Sequence, residues 1–237
     1  MLVKTKAIVI SSLKYQEKSL IVKCLTKSDG IKSYFVNNAF TGKNNKQKNS
    51  LFQPLNQIEI EANHKNKGTL ERFKEIKIIN PYQSIYLNIE KTTITLFLSE
   101  ILHNILKEEG KSEELHLFLE VALQWFDNHD EIANFHLILL LQITKYLGVY
   151  PQNNIEANIF FDISEGIFVS SQTISALSFE ETTLFKRLMN LKLDDNQKVF
   201  SVSQRQLLLK ILMQYYSFNI ENFRQPKSLQ VLKEVFS

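Results

Sequence analysis

The sequence predicts an α+β protein, with a small five-stranded β-barrel followed by an α-helical domain that contains one β-hairpin insertion. Two observations support this. The first eighty positions contain short apolar segments separated by turn residues, with period-two alternation in Leu20–Thr26, and from Pro81 onward the apolar residues follow the period of a helix. The 237 residues are enough for two domains. We place them at residues 1–80 and 81–237.

Residues 1–80 are expected to form five short strands. The sequence Ser28-Asp29-Gly30 is a turn signal and predicts a hairpin between the second and third strands. Five strands in so short a stretch favour a closed or nearly closed sheet, and an OB-fold barrel is the natural candidate. The predicted strands are Leu2–Ile10, Leu20–Thr26, Ile31–Val36, Leu51–Glu61 and Leu70–Ile79.

The helical domain is indicated by apolar residues at i, i+3, i+4 and i+7. Ser178 and Glu181 have the spacing of a capping box, and Ser203 is the expected cap of a later helix. A hairpin of Ile159–Ile163 and Gly166–Ser170 forms the insertion, near residues 158–171. Helices are predicted over about 94–106, 113–126, 131–147, 178–191, 203–215 and 228–236.

The sequence gives little sign of a membrane or secreted protein. No apolar run approaches the ~20 residues of a transmembrane helix, and Lys4 and Lys6 interrupt the first apolar stretch, unlike a signal peptide. The single cysteine, Cys24, excludes an internal disulfide and a multi-cysteine zinc site. We expect a cytoplasmic protein.

Catalytic motifs are missing as well. The sequence contains neither a P-loop nor a GxGxxG fingerprint, and its five histidines lack metal-ligand spacing. Adjacent acidic residues do not share a face of a helix, so they do not form a metal dyad. Cys24 lies on a predicted strand face with Val22 and is expected to be buried. We therefore predict no enzymatic activity, no cofactor and no metal.

The charge distribution is more informative. Residues 1–80 contain 15 Lys and Arg against 6 Asp and Glu, an excess of nine positive charges, whereas residues 81–237 contain 13 against 19. Such asymmetry is typical of a basic domain that meets a polyanion. The alternative is that lysines only keep a small β domain in solution.

Candidate nucleic-acid contacts follow from strand alternation and from loop composition. If Val22, Cys24, Ile31 and Phe35 fill the barrel, then Lys23, Lys32 and Tyr34 point outward together, where lysines meet phosphates and a ring stacks on a base. Exposed Lys and Tyr are also common on β surfaces without any ligand. Lysines in two loops complete the predicted surface: Lys43, Lys46, Lys48, Lys65 and Lys67.

In addition to these features, the order of several short motifs resembles the family of the bacterial recombination mediator RecO. The resemblance spans the whole chain, from the barrel to the last helix. In the barrel it rests on Lys4–Ile10, Tyr15, Glu17–Val22, Leu51–Leu55 and Gly68–Leu70 with Glu75; in the helical domain it rests on Leu96–Leu102, Asn134-Phe135, Tyr146–Pro151, Phe223-Arg224 and Ser228-Leu229.

The resemblance implies an OB-fold N-terminal domain on a helical C-terminal domain, and a DNA-binding function without bond breaking. RecO proteins bind single- and double-stranded DNA and anneal complementary strands. With RecR they help load the recombinase RecA onto strands covered by single-strand DNA-binding protein, whose acidic C-terminal tail they also dock. Nucleoid association is implied too.

Two departures from the family pattern are visible. Many relatives carry a four-cysteine zinc module, but residues 153–171 contain no cysteine here, so the resemblance implies no zinc. Relatives also tend to have a Gly- and Arg-bearing basic stretch after the third strand, whereas here the segment Asn37–Gly42, just before Lys43, contains no basic residue.

A docking spot for the acidic tail is expected on the late helices, where basic and apolar residues coincide. Arg205 and Lys210 would form the rim of a pocket lined by Leu208, Leu212 and Tyr215. The alternative is a core helix whose basic residues only face water. For the whole protein, the rival functions are an OB-fold RNA-binding protein and a protein-interaction scaffold that does not bind DNA.

Overall fold

The computed structural model describes residues 1–40, 50–65, 69–106, 112–152, 159–194 and 199–236. These residues fall into two compact units, Met1–Asn128 and His129–Ser237. The first unit contains β1 (Leu2–Tyr15), β2 (Ser19–Thr26), β3 (Gly30–Val36), β4 (Gln57–Asn63), β5 (Arg72–Ile78), α1 (Ile89–Ile105) and α2 (Glu113–Asn128). The second contains α3 (Phe135–Tyr146), β6 (Phe160–Asp162), β7 (Ile167–Val169), α4 (Phe179–Met189), α5 (Val202–Asn219) and α6 (Leu229–Val235).

The five N-terminal strands form one antiparallel sheet in the order β3-β2-β1-β4-β5. A parallel bridge between Tyr34 and Glu71 joins its two edges. There the Phe35 amide donates to the carbonyl of Glu71, and the Glu71 amide donates to the carbonyl of Ser33, each over 2.9 Å. The sheet is therefore a closed five-stranded barrel, and the predicted OB-fold is confirmed.

The interior of the barrel is packed by apolar residues around the buried ring of Tyr34. Tyr34 is fully buried and stacks on Phe73, with 4.0 Å between ring centroids. Its hydroxyl lies 2.7 Å from Nε2 of His64, whose Nδ1 lies 3.0 Å from Asp29. Since a carboxylate only accepts, Nδ1–H donates to Asp29 and Nε2 accepts from Tyr34. The rest of the cluster is Ala7, Val9, Leu20, Val22, Cys24, Ala39, Phe52, Ile58, Ile60 and Ala62.

β1 is longer than predicted and changes character along its length. Residues Ala7–Ile10 are buried without alternation because helices pack on the outer face of the barrel. A β-bulge between Val9 and Ser11 makes Ile10 the additional residue. The Ser99 hydroxyl of α1 donates to the carbonyl of Ile10 over 2.6 Å. Beyond the bulge, Leu13–Tyr15 are exposed.

The fourth strand begins at Gln57, six residues later than predicted. Pro54 cannot donate to a ladder, and Leu55 adopts a positive φ of 61°, which is costly for a residue with a branched side chain. This turn is held from two sides. Leu55 donates to the carbonyl of Val9 over 2.7 Å, and the Tyr82 hydroxyl donates to the carbonyl of Leu55 over 2.9 Å.

The second unit consists of helices and a small hairpin, as the sequence predicted. The capping box of Ser178 and Glu181 is present at the start of α4. Two predicted boundaries are wrong. α3 begins at Phe135, four residues late, and the cap of α5 is Ser201, not Ser203, because Ser201 forms the capping box with Gln204. Among the described residues, no helix has the length and apolarity needed to span a bilayer.

The β6–β7 hairpin is organised around one buried carboxylate. Asp162 accepts hydrogen bonds from the hydroxyls of Ser164, Thr173 and Ser175, and from the backbone amides of Ser164 and Glu165. Burial by itself would raise the pKa of Asp162, but these donors outweigh it and hold the pKa below its ordinary value. The described part of the hairpin contains no cysteine, so a four-cysteine zinc site does not fit here.

We predict that Asp162→Asn lowers the free energy of unfolding by about 1–3 kcal/mol, because hydroxyl donors lose a charged acceptor. Chemical denaturation at pH 7 measures this, with the exposed Asp194→Asn as the matched control. Because the native pKa is lowered, the stability that the carboxylate contributes is present above about pH 4 and is lost as the pH falls further. An equal effect of both substitutions would contradict the assigned role.

Candidate nucleic-acid interface

Most lysines on the outer face of β1, β4 and β5 are already paired with carboxylates. Glu59 lies between Lys4 and Lys77, at 3.4 and 2.7 Å, and Lys74 lies 2.6 Å from Glu61. Two further pairs reach helix α2: Lys6 with Glu120 at 2.6 Å and Lys27 with Glu113 at 3.5 Å. Exposed pairs of this kind stabilise little, but they neutralise this face locally. The net excess of positive charge is therefore concentrated elsewhere on the domain.

The predicted orientation of Lys32 and Tyr34 is wrong. Both were expected on the outer face of β3, but they lie on its inner face. Tyr34 lies opposite Val22 and Lys32 opposite Cys24, and directly opposed residues share one face of a sheet. Since Val22 and Cys24 point into the barrel, Tyr34 does too, and its fully buried ring is inaccessible to a base. Lys32 lies on the same face and is half-buried. Burial raises the pKa of Asp29, but hydrogen bonds from Ser28 and His64 and, to a smaller extent, the charge of Lys32 hold it below its ordinary value.

Lys23 points away from the barrel interior, as expected, but its ammonium is occupied. It donates to the carbonyls of His103 and Leu106 at the C-terminal end of α1, over 3.0 and 2.7 Å. A cation there satisfies carbonyls that the helix leaves unpaired. Lys23 therefore holds α1 on the sheet, and a phosphate would have to compete with these two bonds.

The predicted loop lysines are only partly described. Lys65 is exposed, and its backbone amide donates to Glu71 over 2.7 Å. Lys43, Lys46, Lys48 and Lys67 lie outside the described residues. They stay predictions from the sequence.

The structure reveals an exposed group that alternation alone did not identify. Phe35, expected inside the barrel, lies on the outer face opposite Ile21 and is partly exposed. Tyr15 packs edge-on against it, at 6.1 Å between centroids and 82° between planes, and the Arg72 guanidinium lies 5.6 Å from the Phe35 centroid. We call Tyr15, Phe35 and Arg72 the aromatic corner. A long first strand reaching Tyr15 was the signal that could have revealed it.

Cations around this corner are not neutralised. Lys14 and Lys18 flank Tyr15 in the β1–β2 hairpin and are exposed; we call them the hairpin lysines. Lys14 Nζ lies 5.7 Å from the ring centroid of Phe40. Within the described residues, no carboxylate lies within 4 Å of Arg72 or of either hairpin lysine. Lys14, Lys18 and Arg72 outnumber the exposed Glu17 and the buried Glu71, so this end of the barrel is locally positive, and it carries exposed rings.

The expected pocket on the late helices is wrong in its apolar part. Leu208, Leu212 and Tyr215 are each at most 1% exposed, and the Tyr215 hydroxyl donates to the carbonyl of Val149 over 2.7 Å. These residues form the core of the second unit and line no open pocket. Arg205 is half-buried and donates to the carbonyl of Phe200 over 2.7 Å, whereas Lys210 is exposed. The geometry of α5 agrees with the alternative, a core helix whose basic residues face water.

Three residues with potentially reactive side chains, Cys24, His116 and His136, are buried. Cys24 is fully buried, and burial raises the pKa of its thiol. Burial also lowers the pKa of His116 to about 4 and that of His136 to about 3, so both imidazoles are neutral at pH 7. Among the described residues, no group of three or more His, Cys, Asp or Glu side chains is placed to hold a metal ion.

A closed OB barrel in the first unit, with helices and a small hairpin in the second, defines a modular OB-fold protein. Two family models match this chain: recombination protein O N terminal, over residues 1–82, and recombination protein O C terminal, over residues 86–230.

Curated relatives agree over the full length. The DNA repair protein RecO of Flavobacterium psychrophilum is 58% identical over 238 residues, that of Flavobacterium johnsoniae 58% over 237, and that of Christiangramia forsetii 40% over 238. Each alignment covers 100% of both chains. The chain belongs to the RecO family of DNA repair proteins, and the resemblance found in its sequence is confirmed.

We predict that Lys14→Gln with Lys18→Gln weakens the binding of single-stranded DNA more than Lys74→Gln with Lys77→Gln. The first pair removes cations without a carboxylate partner, whereas the second removes cations whose charge is already balanced. Loss of two phosphate contacts should flatten the slope of log K against log salt by about 1.4. Fluorescence anisotropy at several salt concentrations measures both quantities. Equal slopes for the two double variants would show that phosphates do not contact the hairpin.

Proposed function

We propose that this RecO-family protein is a recombination mediator that binds single- and double-stranded DNA and anneals complementary strands. It also helps load a recombinase onto strands covered by single-strand DNA-binding protein. The observation that supports the proposal is family membership over the full chain. In addition, no carboxylate of the described residues lies within 4 Å of the hairpin lysines or of Arg72.

Annealing by such a surface needs no reaction centre. Two complementary strands repel each other through their phosphates, and bound cations reduce this repulsion while displacing counterions. Because the hairpin lysines are exposed and flexible point charges, they can follow the backbone of either strand without reading its sequence. We therefore propose a mechanism with no bond-breaking step and no cofactor. Work on chromosomal DNA would place the protein in the cytoplasm at the nucleoid.

We predict that the protein binds labelled single-stranded DNA with an affinity that falls steeply between 50 and 200 mM salt. Anisotropy titrations measure this, and a strand-annealing assay with two complementary oligonucleotides measures the resulting activity. A protein-interaction scaffold would show no salt-dependent DNA binding and no acceleration of annealing. An RNA-binding protein would be displaced from DNA by RNA of the same sequence at lower competitor concentration, because the 2′-hydroxyl offers additional contacts.

The proposal includes two protein partners, and family membership is the only support for them. RecR is one, and the acidic C-terminal tail of single-strand DNA-binding protein is the other. The structure leaves Arg205 and Lys210 as basic residues on α5, but not the apolar pocket that the sequence predicted. The tail would therefore meet these cations at the surface of the second unit.

We predict that Arg205→Glu and Lys210→Glu each weaken binding of a tail peptide that ends in an aromatic residue and a free carboxylate. Lys233→Glu on α6 is the matched control, since that lysine is also exposed. Isothermal titration at 50 mM salt provides the affinities. Unchanged affinity in both α5 variants would place the tail on another surface.

A further inference from the structure

The aromatic corner places two aromatic rings and one guanidinium next to each other at the surface of the barrel. The Arg72 guanidinium lies over the ring of Phe35, and the ring of Tyr15 stands against Phe35 edge-on. Tyr15 is 44% exposed and Arg72 is exposed. Leu13 and Ile21 continue the same outer row, because Leu13 lies opposite Ile21 and Ile21 lies opposite Phe35.

The cross-strand contact by itself explains only part of this arrangement. An aromatic pair between neighbouring strands stabilises a sheet modestly, and it does so whether or not a cation covers it. Here the guanidinium carbon of Arg72 lies 5.6 Å from the Phe35 centroid, and no carboxylate of the described residues lies within ion-pair distance of Arg72. A guanidinium next to a ring keeps its positive charge, and its planar group can contact a further planar group.

Charge favours a nucleic acid over an apolar peptide as the occupant. Lys14 and Lys18 flank Tyr15 on the chain and, within the described residues, have no carboxylate within 4 Å. A single strand presents both of the groups that this surface matches, namely phosphates for the lysines and flat bases for the guanidinium and the tyrosine. An apolar peptide would leave these three cations without partners.

We propose that the aromatic corner holds one unstacked base of a single strand, resting on Arg72 and bordered by Tyr15, while adjacent phosphates meet the hairpin lysines. This inference rests on the proposed DNA binding and adds a contact to the base. In a duplex the bases are stacked on each other, so this contact is made only by single-stranded DNA. The corner would therefore make the protein favour strands that are open for pairing.

The test separates the base from the backbone. Tyr15→Leu keeps apolar bulk without a ring, and Arg72→Lys keeps the charge without a plane. Both should weaken binding of a single-stranded oligonucleotide by about 5- to 100-fold, the range expected when one stacked base is lost. Binding of an abasic oligonucleotide of the same length should stay unchanged, as should the salt slope for the normal oligonucleotide. Tyr15→Phe is the matched control and should bind normally.

A second readout follows the base directly. An oligonucleotide containing 2-aminopurine should gain fluorescence on binding to the parent protein, because the base leaves the stack of its neighbours, and Arg72→Lys should reduce this gain. Thermal melting of each variant establishes folding. If Tyr15→Leu melts early, the 2-aminopurine signal of the parent and of Arg72→Lys decides the question.

The possible failures are distinguishable. Parent protein that binds no DNA would overturn the proposed function itself. If the parent protein binds DNA and both variants bind it as tightly as the parent does, the base contact is overturned and the proposed DNA binding stands. Equal losses on the normal and abasic strands would show that the corner meets only the backbone. Loss of tail-peptide binding alone would identify the corner as a protein-binding surface.

Discussion

The N-terminal unit depends on β1, which is the central strand of the barrel and the support for helices at the same time. It pairs with β2 along one side and with β4 along the other, so both neighbours take their register from it. Its segment from Ala7 to Ile10 is buried on both faces, which requires the helices to pack outside. The bulge at Ile10 marks the end of this covered part. Beyond the bulge the strand becomes increasingly exposed to solvent up to Tyr15.

This division of one strand also determines which cations of β1 and the β1–β2 hairpin pair with other groups of the protein. Where helices cover the outer face, the lysines bind other groups of the protein: Lys23 donates to the C-terminal end of α1, and Lys6 pairs with Glu120. Beyond the bulge, Lys14 and Lys18 are exposed, and no carboxylate of the described residues lies within 4 Å of either lysine. A net excess of nine positive charges therefore overstates the cationic surface, because attraction acts through local charge within roughly 10 Å at 0.1 M salt.

The second unit shows how a small hairpin can be held without metal ligands. Asp162 gathers three hydroxyls and two amides around one carboxylate, which ties both strands to the following turn. The Tyr215 hydroxyl donates to the carbonyl of Val149, just before Pro151. The same tyrosine contacts Phe161 of β6, with 5.9 Å between ring centroids. In this unit the residues that looked like a binding pocket in the sequence are the packed core.

The sequence by itself determined the barrel, the helical domain, the β6–β7 hairpin and the family, because these follow from periodicity, turn residues and the order of motifs. It also identified Leu20, Val22 and Cys24 as one buried face, since alternation within a single strand is local. It did not determine how β3 aligns with β2, and the predicted faces of Tyr34 and Phe35 were consequently reversed. A shift of one residue inverts a whole strand, and the structure sets the register by pairing Thr26 with Gly30 across the turn. Nor could the sequence decide which cations are neutralised, since Lys6 and Glu120 are 114 positions apart and meet only in the folded chain.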